Sequence, residues 1–130
     1  MSVSGKRLGE MGERLAADHL ESRGYRIRER NFRCREGEID IIAEKDGCLA
    51  FVEVKTRRGA AMGEAAESVT PEKGARLLLL AEAYAQARAD LPPDRRIDVV
   101  AVDLSPGGRL LSLQHIENAF SADELPVREP

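Results

Sequence analysis

Apolar and polar residues change rhythm along this chain, and each change marks an element. From Lys6 to Arg23 the apolar residues Leu8, Met11, Leu15 and Leu20 recur at helical spacing, which predicts an amphipathic helix capped at its C-terminus by Gly24. Tyr25 to Phe32 alternates and reads as a strand. Two further alternating runs, Gly37 to Ala43 and Ala50 to Thr56, flank Asp46-Gly47. Both turn residues tolerate the positive φ of a tight type I′ turn, so the runs form a hairpin. Arg58 to Val69 is rich in glycine and alanine and reads as a mobile connection. Thr70-Pro71-Glu72 then supplies a capping hydroxyl, a proline for the first helical position and an early acid. The helix they start runs to about Ala89, with Leu77, Leu80, Ala81 and Tyr84 as its core stripe. Pro92-Pro93 ends it, Ile97 to Val102 is a strand, and Ser105 to Gly108 turns into a last strand, Leu110 to Ile116. The predicted order is an α/β αβββαβ core with one added strand, a mixed central sheet flanked by helices. Phe120 closes the core of a single domain, residues 1–120, and residues 121–130 form a frayed tail.

The hairpin carries the chemistry. In a symmetric hairpin about Asp46-Gly47, Asp40 stands opposite Glu53 and Glu38 opposite Lys55, and period-two alternation puts all four on one face. Ile39, Ile41, Ala43, Ala50, Val52 and Val54 form the other face, an apolar surface for a helix to cover. Carboxylates directly opposite each other repel at a cost of about 0.2–1 kcal/mol. A divalent cation reverses that sign, and Mg²⁺ takes hard oxygen ligands of this kind. Asp40 and Glu53 therefore suit metal ligation. Lys55 is placed to hold or deprotonate an attacking water and to offset charge on a phosphorane-like transition state. Glu38 has two readings, an acid that positions Lys55 or its cross-strand ion-pair partner.

Charge adds a candidate surface. The net charge of −3 argues against a nonspecific nucleic-acid coat, yet residues 1–60 hold 13 Lys/Arg against 11 Asp/Glu while the remainder holds 7 against 12. Arg23, Arg26, Arg28, Arg30, Arg33 and Arg35 crowd a segment whose one acid is Glu29. Arg26 and Arg28 alternate with apolar residues and share a face, which serves equally to bind phosphates or to guard an edge strand. Arg57, with the parity of Glu53 and Lys55, reads equally as a substrate contact or an edge guard, and Lys73, at a helix start, as a phosphate contact or a solvated helix-terminal lysine. Asp98 beside Arg96 reads as a structural pair, and His19 and His115 form no triad with a serine or cysteine. No apolar run approaches a membrane span and no signal-peptide core is present, so no membrane partner is expected. Cys34 and Cys48 lack metal-site spacing and read as reduced thiols of a cytoplasmic protein.

Asp40 followed by Glu53-Val54-Lys55 resembles the active-site signature of the PD-(D/E)xK nucleases, whose restriction-endonuclease-like fold is shared with Holliday-junction resolvases. A longer series resembles the bacterial YraN family within that superfamily. It comprises Gly12-Glu13, Ala16, Gly24-Tyr25, Asn31, Gly37 to Asp40, Phe51 to Arg57, Gly63, Lys73 and Arg96 to Val99. Ile97, His19 and Met62 stand where aromatic residues are usual, away from the proposed site. The resemblance implies a restriction-endonuclease-like core and adds Glu13, in the first helix, to the metal-site acids Asp40 and Glu53. Periodicity alone reads Glu13 as a surface residue, although its neighbours Gly9, Gly12, Ala16 and Ala17 let that flank lie close to a sheet. The implied activity is Mg²⁺-dependent hydrolysis of DNA, branched or structured DNA included, with Mn²⁺ as a substitute cation. RNA and a homodimer remain open. The alternative is a noncatalytic nucleic-acid-binding or partner-recruiting module on the same fold.

Overall fold

The first helix, α1 (Gly5–Ser22), lies against the sheet through its small residues. Gly12, Ala16, Ala17 and Leu20 are buried, while Leu8, Met11 and Leu15 pack at the margin. A side chain at Gly12 would stand 1.8 Å from Thr56 Oγ1, so only glycine permits this approach. The helix ends as its sequence predicts: the Tyr25 N–H reaches the Leu20 carbonyl and the Gly24 N–H that of Glu21, a Schellman closure.

The computed structural model describes residues 5–59 and 63–120; the expected tail, residues 121–130, and Met62 lie outside them. Five strands follow the order β1-β2-β3-β4-β5 across one sheet. They are β1 (Arg26–Cys34), β2 (Gly37–Lys45), β3 (Cys48–Arg58), β4 (Asp94–Leu104) and β5 (Leu110–Ile116). All neighbours are antiparallel except β3 and β4, whose parallel pairing requires the crossover that holds α2 (Glu64–Glu67) and α3 (Pro71–Gln86). This is the expected α/β architecture, a mixed sheet flanked by helices. Among the described residues no helix is long and apolar enough to cross a membrane.

Two apolar layers cover the sheet. On the α1 side Ile41, Ala43, Ala50, Val52, Val100, Val102 and Leu104 meet Ala16, Ala17 and Leu20. On the α3 side Ile39, Ile42, Leu49, Phe51, Ile97 and Val99 meet Leu77, Leu80, Ala81 and Tyr84. The expected single apolar hairpin face is thus corrected, because both faces are core and Ile39 leaves the row of Ile41 for the α3 side. The cause is local. Asn31, in the β1 stretch across from Asp40, adopts a left-handed φ of 53°, and the β2–β3 ladder runs from Lys45↔Cys48 only to Ile41↔Val52. The turn itself is as expected, with φ of 51° at Asp46 and 76° at Gly47.

Other boundaries also move: β4, expected from Ile97 to Val102, spans Asp94–Leu104. The first strand begins at Arg26 and continues to Cys34. Helix α3 stops at Gln86 rather than near Ala89, although Thr70 caps its start as predicted by accepting from the Lys73 N–H. The connection after β3 contains α2, whose first turn is tied to the sheet: the Asp103 carboxylate accepts from the Gly63 N–H at 3.0 Å and from the Ala65 N–H at 3.1 Å. Phe120 is buried, as expected, and lies over Gly74 of α3.

Candidate functional site

Where β2 and β3 part, polar groups replace the ladder. The Asp40 Oδ2 accepts the Val54 N–H at 2.8 Å, doing with a side chain what the next strand carbonyl would have done. Helix α1, held close by Gly12, delivers Glu13 to the same place. One carboxylate oxygen each from Glu13, Glu38 and Asp40 lie within 4.8 Å of one another. The Asn31 side-chain amide stands between the two glutamates and, with its orientation assigned from this hydrogen-bond network, donates to Glu13 Oε1 at 3.0 Å and to Glu38 Oε1 at 3.1 Å.

A cavity of about 290 Å³ opens beside the cluster, lined by Glu38, Asp40, Glu53, Lys73, Arg76 and Leu77 among others. Glu53 belongs to its wall, and Lys55 lies two residues farther along the same face of β3. Helix α3 brings in the cations. Arg76 rests against the backbone of Gly37, where a side chain would stand 3.3 Å from the guanidinium, and Gly37 has a φ of 145° that disfavours any other residue.

These groups perturb each other strongly. Burial first, and then the charge of Glu53, push the Asp40 carboxyl up to about 8, against the opposing hydrogen bond from Val54. Burial likewise raises Glu13 and Glu53; Asp40 and Arg30 oppose the shift at Glu13, and Lys73 and Lys55 oppose it at Glu53. The Lys55 ammonium is pushed down, first by its contact with Lys73 and then by burial. At neutral pH Asp40 therefore keeps a proton in the absence of a cation, while its oxygens are hard donors already gathered with two others.

The sequence-predicted residues sort into three groups. Glu13 and Asp40 are brought together, Glu53 and Lys55 stand beside them, and Lys73 reaches the cavity wall from α3. Glu38 belongs to the cluster itself. Its ion-pair partner is Arg33, at 3.5 Å, which corrects the expected pairing with Lys55. Arg30 acts electrostatically on Glu13 and Arg57 on Lys55, so both lie near the site. Arg26 and Arg28 are otherwise engaged: both meet Glu44, Arg28 at 3.4 Å, and the Arg28 side chain is only 16% exposed. Sequence reasoning gave no role to Asn31 or Arg76. The spacing of Arg76, one turn beyond Lys73, was a readable signal for the second, whereas nothing local announces the first.

A second polar cluster occupies the other end of the sheet on the α1 side. Asp98, fully buried, receives Arg96 at 2.8 Å, His115 Nε2 at 2.8 Å and the Asn118 N–H at 2.9 Å. Burial would raise its pKa, but these bonds outweigh burial and hold it below the ordinary aspartate value. Arg96 also bonds the Tyr25 hydroxyl. Asp98 thus has the structural partner expected of it, and His115 is a member of that structural network.

The geometry can be set beside known proteins. Residues 12–102 match the model of the family described as "Uncharacterised protein family UPF0102". A UPF0102 protein of Symbiobacterium thermophilum is 50% identical over 117 residues, covering 90% of this chain and 98% of the relative. One from Roseiflexus castenholzii is 50% identical over 115 residues, 87% of this chain and 92% of the relative, and one from Pelotomaculum thermopropionicum is 44% identical over 120 residues, 92% and 100%. The matched span holds Glu13, Asn31, Glu38, Asp40, Glu53 and Lys55, and with relatives 50% identical over most of both chains the chain belongs to family UPF0102, the YraN family.

Proposed function

We propose that this chain is a divalent-metal-dependent nuclease of the PD-(D/E)xK type, hydrolysing phosphodiester bonds of DNA with Mg²⁺ as its cation and Mn²⁺ as a substitute. The observation that carries the proposal is the convergence of Glu13, Glu38 and Asp40 within 4.8 Å, beside Glu53 and Lys55. Folding alone penalises such a cluster, since it crowds like charges in a half-buried place, where burial raises the pKa values of Glu13, Asp40 and Glu53. A donor set of carboxylate oxygens fits Mg²⁺ rather than a soft metal. Asp40, Glu13 and Glu53 would hold it, with Glu38 the further acid that the cluster adds. When bound, the cation supplies Lewis acidity toward a phosphodiester oxygen.

The chain's own residues do the rest. Lys55, with its proton loosened by Lys73, orients the attacking water and accepts or steadies its proton. Lys73 and Arg76 face the cavity from α3 and offer positive charge to a phosphate entering it. Asn31 and Arg33 hold Glu13 and Glu38 in place. The proposed catalytic set is Glu13, Asp40, Glu53 and Lys55.

The test is cleavage of labelled single-stranded, duplex, flap and four-way-junction DNA with Mg²⁺ or Mn²⁺, for the wild type beside Asp40→Asn. Metal-dependent cutting should fall on the order of 100-fold or more in the variant. Lys55→Ala should lower the rate more than it weakens metal binding. Cutting that survives Asp40→Asn refutes the assignment. Binding without cutting in both proteins transfers it to the noncatalytic nucleic-acid-binding or partner-recruiting module.

A further inference from the structure

The two edges of the sheet differ in character. Strand β1 carries Arg26, Arg28, Glu29, Arg30 and Arg33, slips register between Ile27 and Glu29, and turns left-handed at Asn31. Charge and irregularity of this kind keep an edge from pairing with another chain. Strand β5 is the opposite: Leu-Leu-Ser-Leu-Gln-His-Ile contains no lysine, arginine, aspartate, glutamate, proline or glycine. Its one irregularity, at the Asp103/Leu104 step, leaves Leu111 unmatched at the strand's start and residues 112–116 regular. Leu110 and Leu111 are 43% and 42% exposed, the large exposed apolar side chains among the described residues.

We propose that β5 is a homodimerisation edge, pairing antiparallel with β5 of a second copy about a two-fold axis at Leu113. The sequence is self-complementary in that register. Leu113 meets its own copy, Ser112 stands across from Gln114, and the flanking charges oppose each other, Arg109 of one copy across from Glu117 of the other. Both flanking side chains are exposed, and the contact of Glu117 with Arg96 is long, 3.9 Å. A shift of two residues either way puts Arg109 across from His115 or Leu111 across from Glu117, so the charges select the register. Antiparallel pairing also carries Leu110 and Leu111 of one copy to the Ile116 end of the other. The interface is isologous and closed, so it stops at two copies. Pairing also removes the one unguarded edge among the described residues and makes the two sheets continuous. The β3 strands of the two copies then lie five strand spacings apart, about 24 Å.

Sedimentation equilibrium of the full chain tests this with four proteins: wild type, Arg109→Glu, Glu117→Arg and the double reversal. The wild type should show twice the chain mass of 14.3 kDa. Each single reversal should raise the dimer dissociation constant roughly tenfold. The double reversal should restore it, a recovery that a merely structural role for either residue would not produce. Both positions are exposed, so each variant keeps its fold, which circular dichroism checks. A monomeric wild type, or a dimer that neither single reversal weakens, overturns the proposal.

Discussion

Asp40 concentrates the cost of this site in one side chain. Its folded pKa, about 8, lies far above the ordinary aspartate value of 3.8, so the fold favours the protonated form. The stabilisation this proton gives is fully present below the unfolded pKa and is lost as pH rises through the folded one. The metal-free protein should therefore lose stability steadily between about pH 4 and 8. Asp40→Asn keeps an oxygen for the Val54 N–H and removes the ionisation. The variant should be more stable than the wild type at pH 8, on the order of 1–3 kcal/mol, and nearly equal to it at pH 4. Thermal melts with chelator at both pH values measure this. A gain of the same size at pH 4 would show that repacking rather than charge is responsible. Adding Mg²⁺ should reverse the ranking at pH 8, because a cation that binds the carboxylate form stabilises only the wild type.

Element placement is what turns scattered acids into a cluster. Helix α1 delivers Glu13 because Gly12, one residue earlier, lets the helix backbone touch Thr56 of β3. Gly12→Ala forces a methyl to 1.8 Å from the Thr56 hydroxyl, which α1 can relieve only by moving away and taking Glu13 with it. Stability should fall by about 1–3 kcal/mol, and the Mg²⁺-dependent rise in melting temperature should shrink. Thr56→Ala removes the nearest atom and should recover part of both losses. An unchanged Mg²⁺ response in Gly12→Ala would mean that Glu13 does not depend on this contact.

The same scale explains what the sequence revealed. The Asp46-Gly47 turn, the Thr70 cap and the Gly24 closure all follow from chemistry within a few residues, and they were legible. So was the shared parity of Glu53, Lys55 and Arg57. The migration of Ile39 to the α3 side was not, because it depends on a left-handed Asn31 in the neighbouring strand. Helix α2 was missed for a similar reason, since the carboxylate that organises its first turn belongs to Asp103, 38 residues beyond Ala65. The place of Glu38 beside Glu13 required both the parting of β2 from β3 and the close approach of α1, neither of which hairpin arithmetic contains.

At the scale of the whole molecule, a chain of net charge −3 must present its positive charge locally if it is to meet a polyanion. The arginine row of β1 does not act as one surface. Arg26 and Arg28 spend their charge on Glu44, whereas Lys73 and Arg76 line the acidic cavity and Arg57 lies close enough to act on Lys55. Phosphates drawn to the molecule should therefore settle around the mouth of the cavity, where cations surround carboxylates that a metal would neutralise. Each phosphate contact contributes about 0.9 to the slope of log affinity against log salt. In chelator, with no cation to support cleavage by the proposed mechanism, Lys73→Ala and Arg57→Ala should each lower that slope by roughly one and weaken duplex retention. Arg26→Ala should leave the slope unchanged, because Arg26 is paired with Glu44 and lies away from the cavity. Salt titrations by fluorescence anisotropy, run with DNA and RNA of the same sequence, decide the matter. A larger loss from Arg26→Ala than from Lys73→Ala would move the nucleic-acid path to the β1 edge and away from the acids.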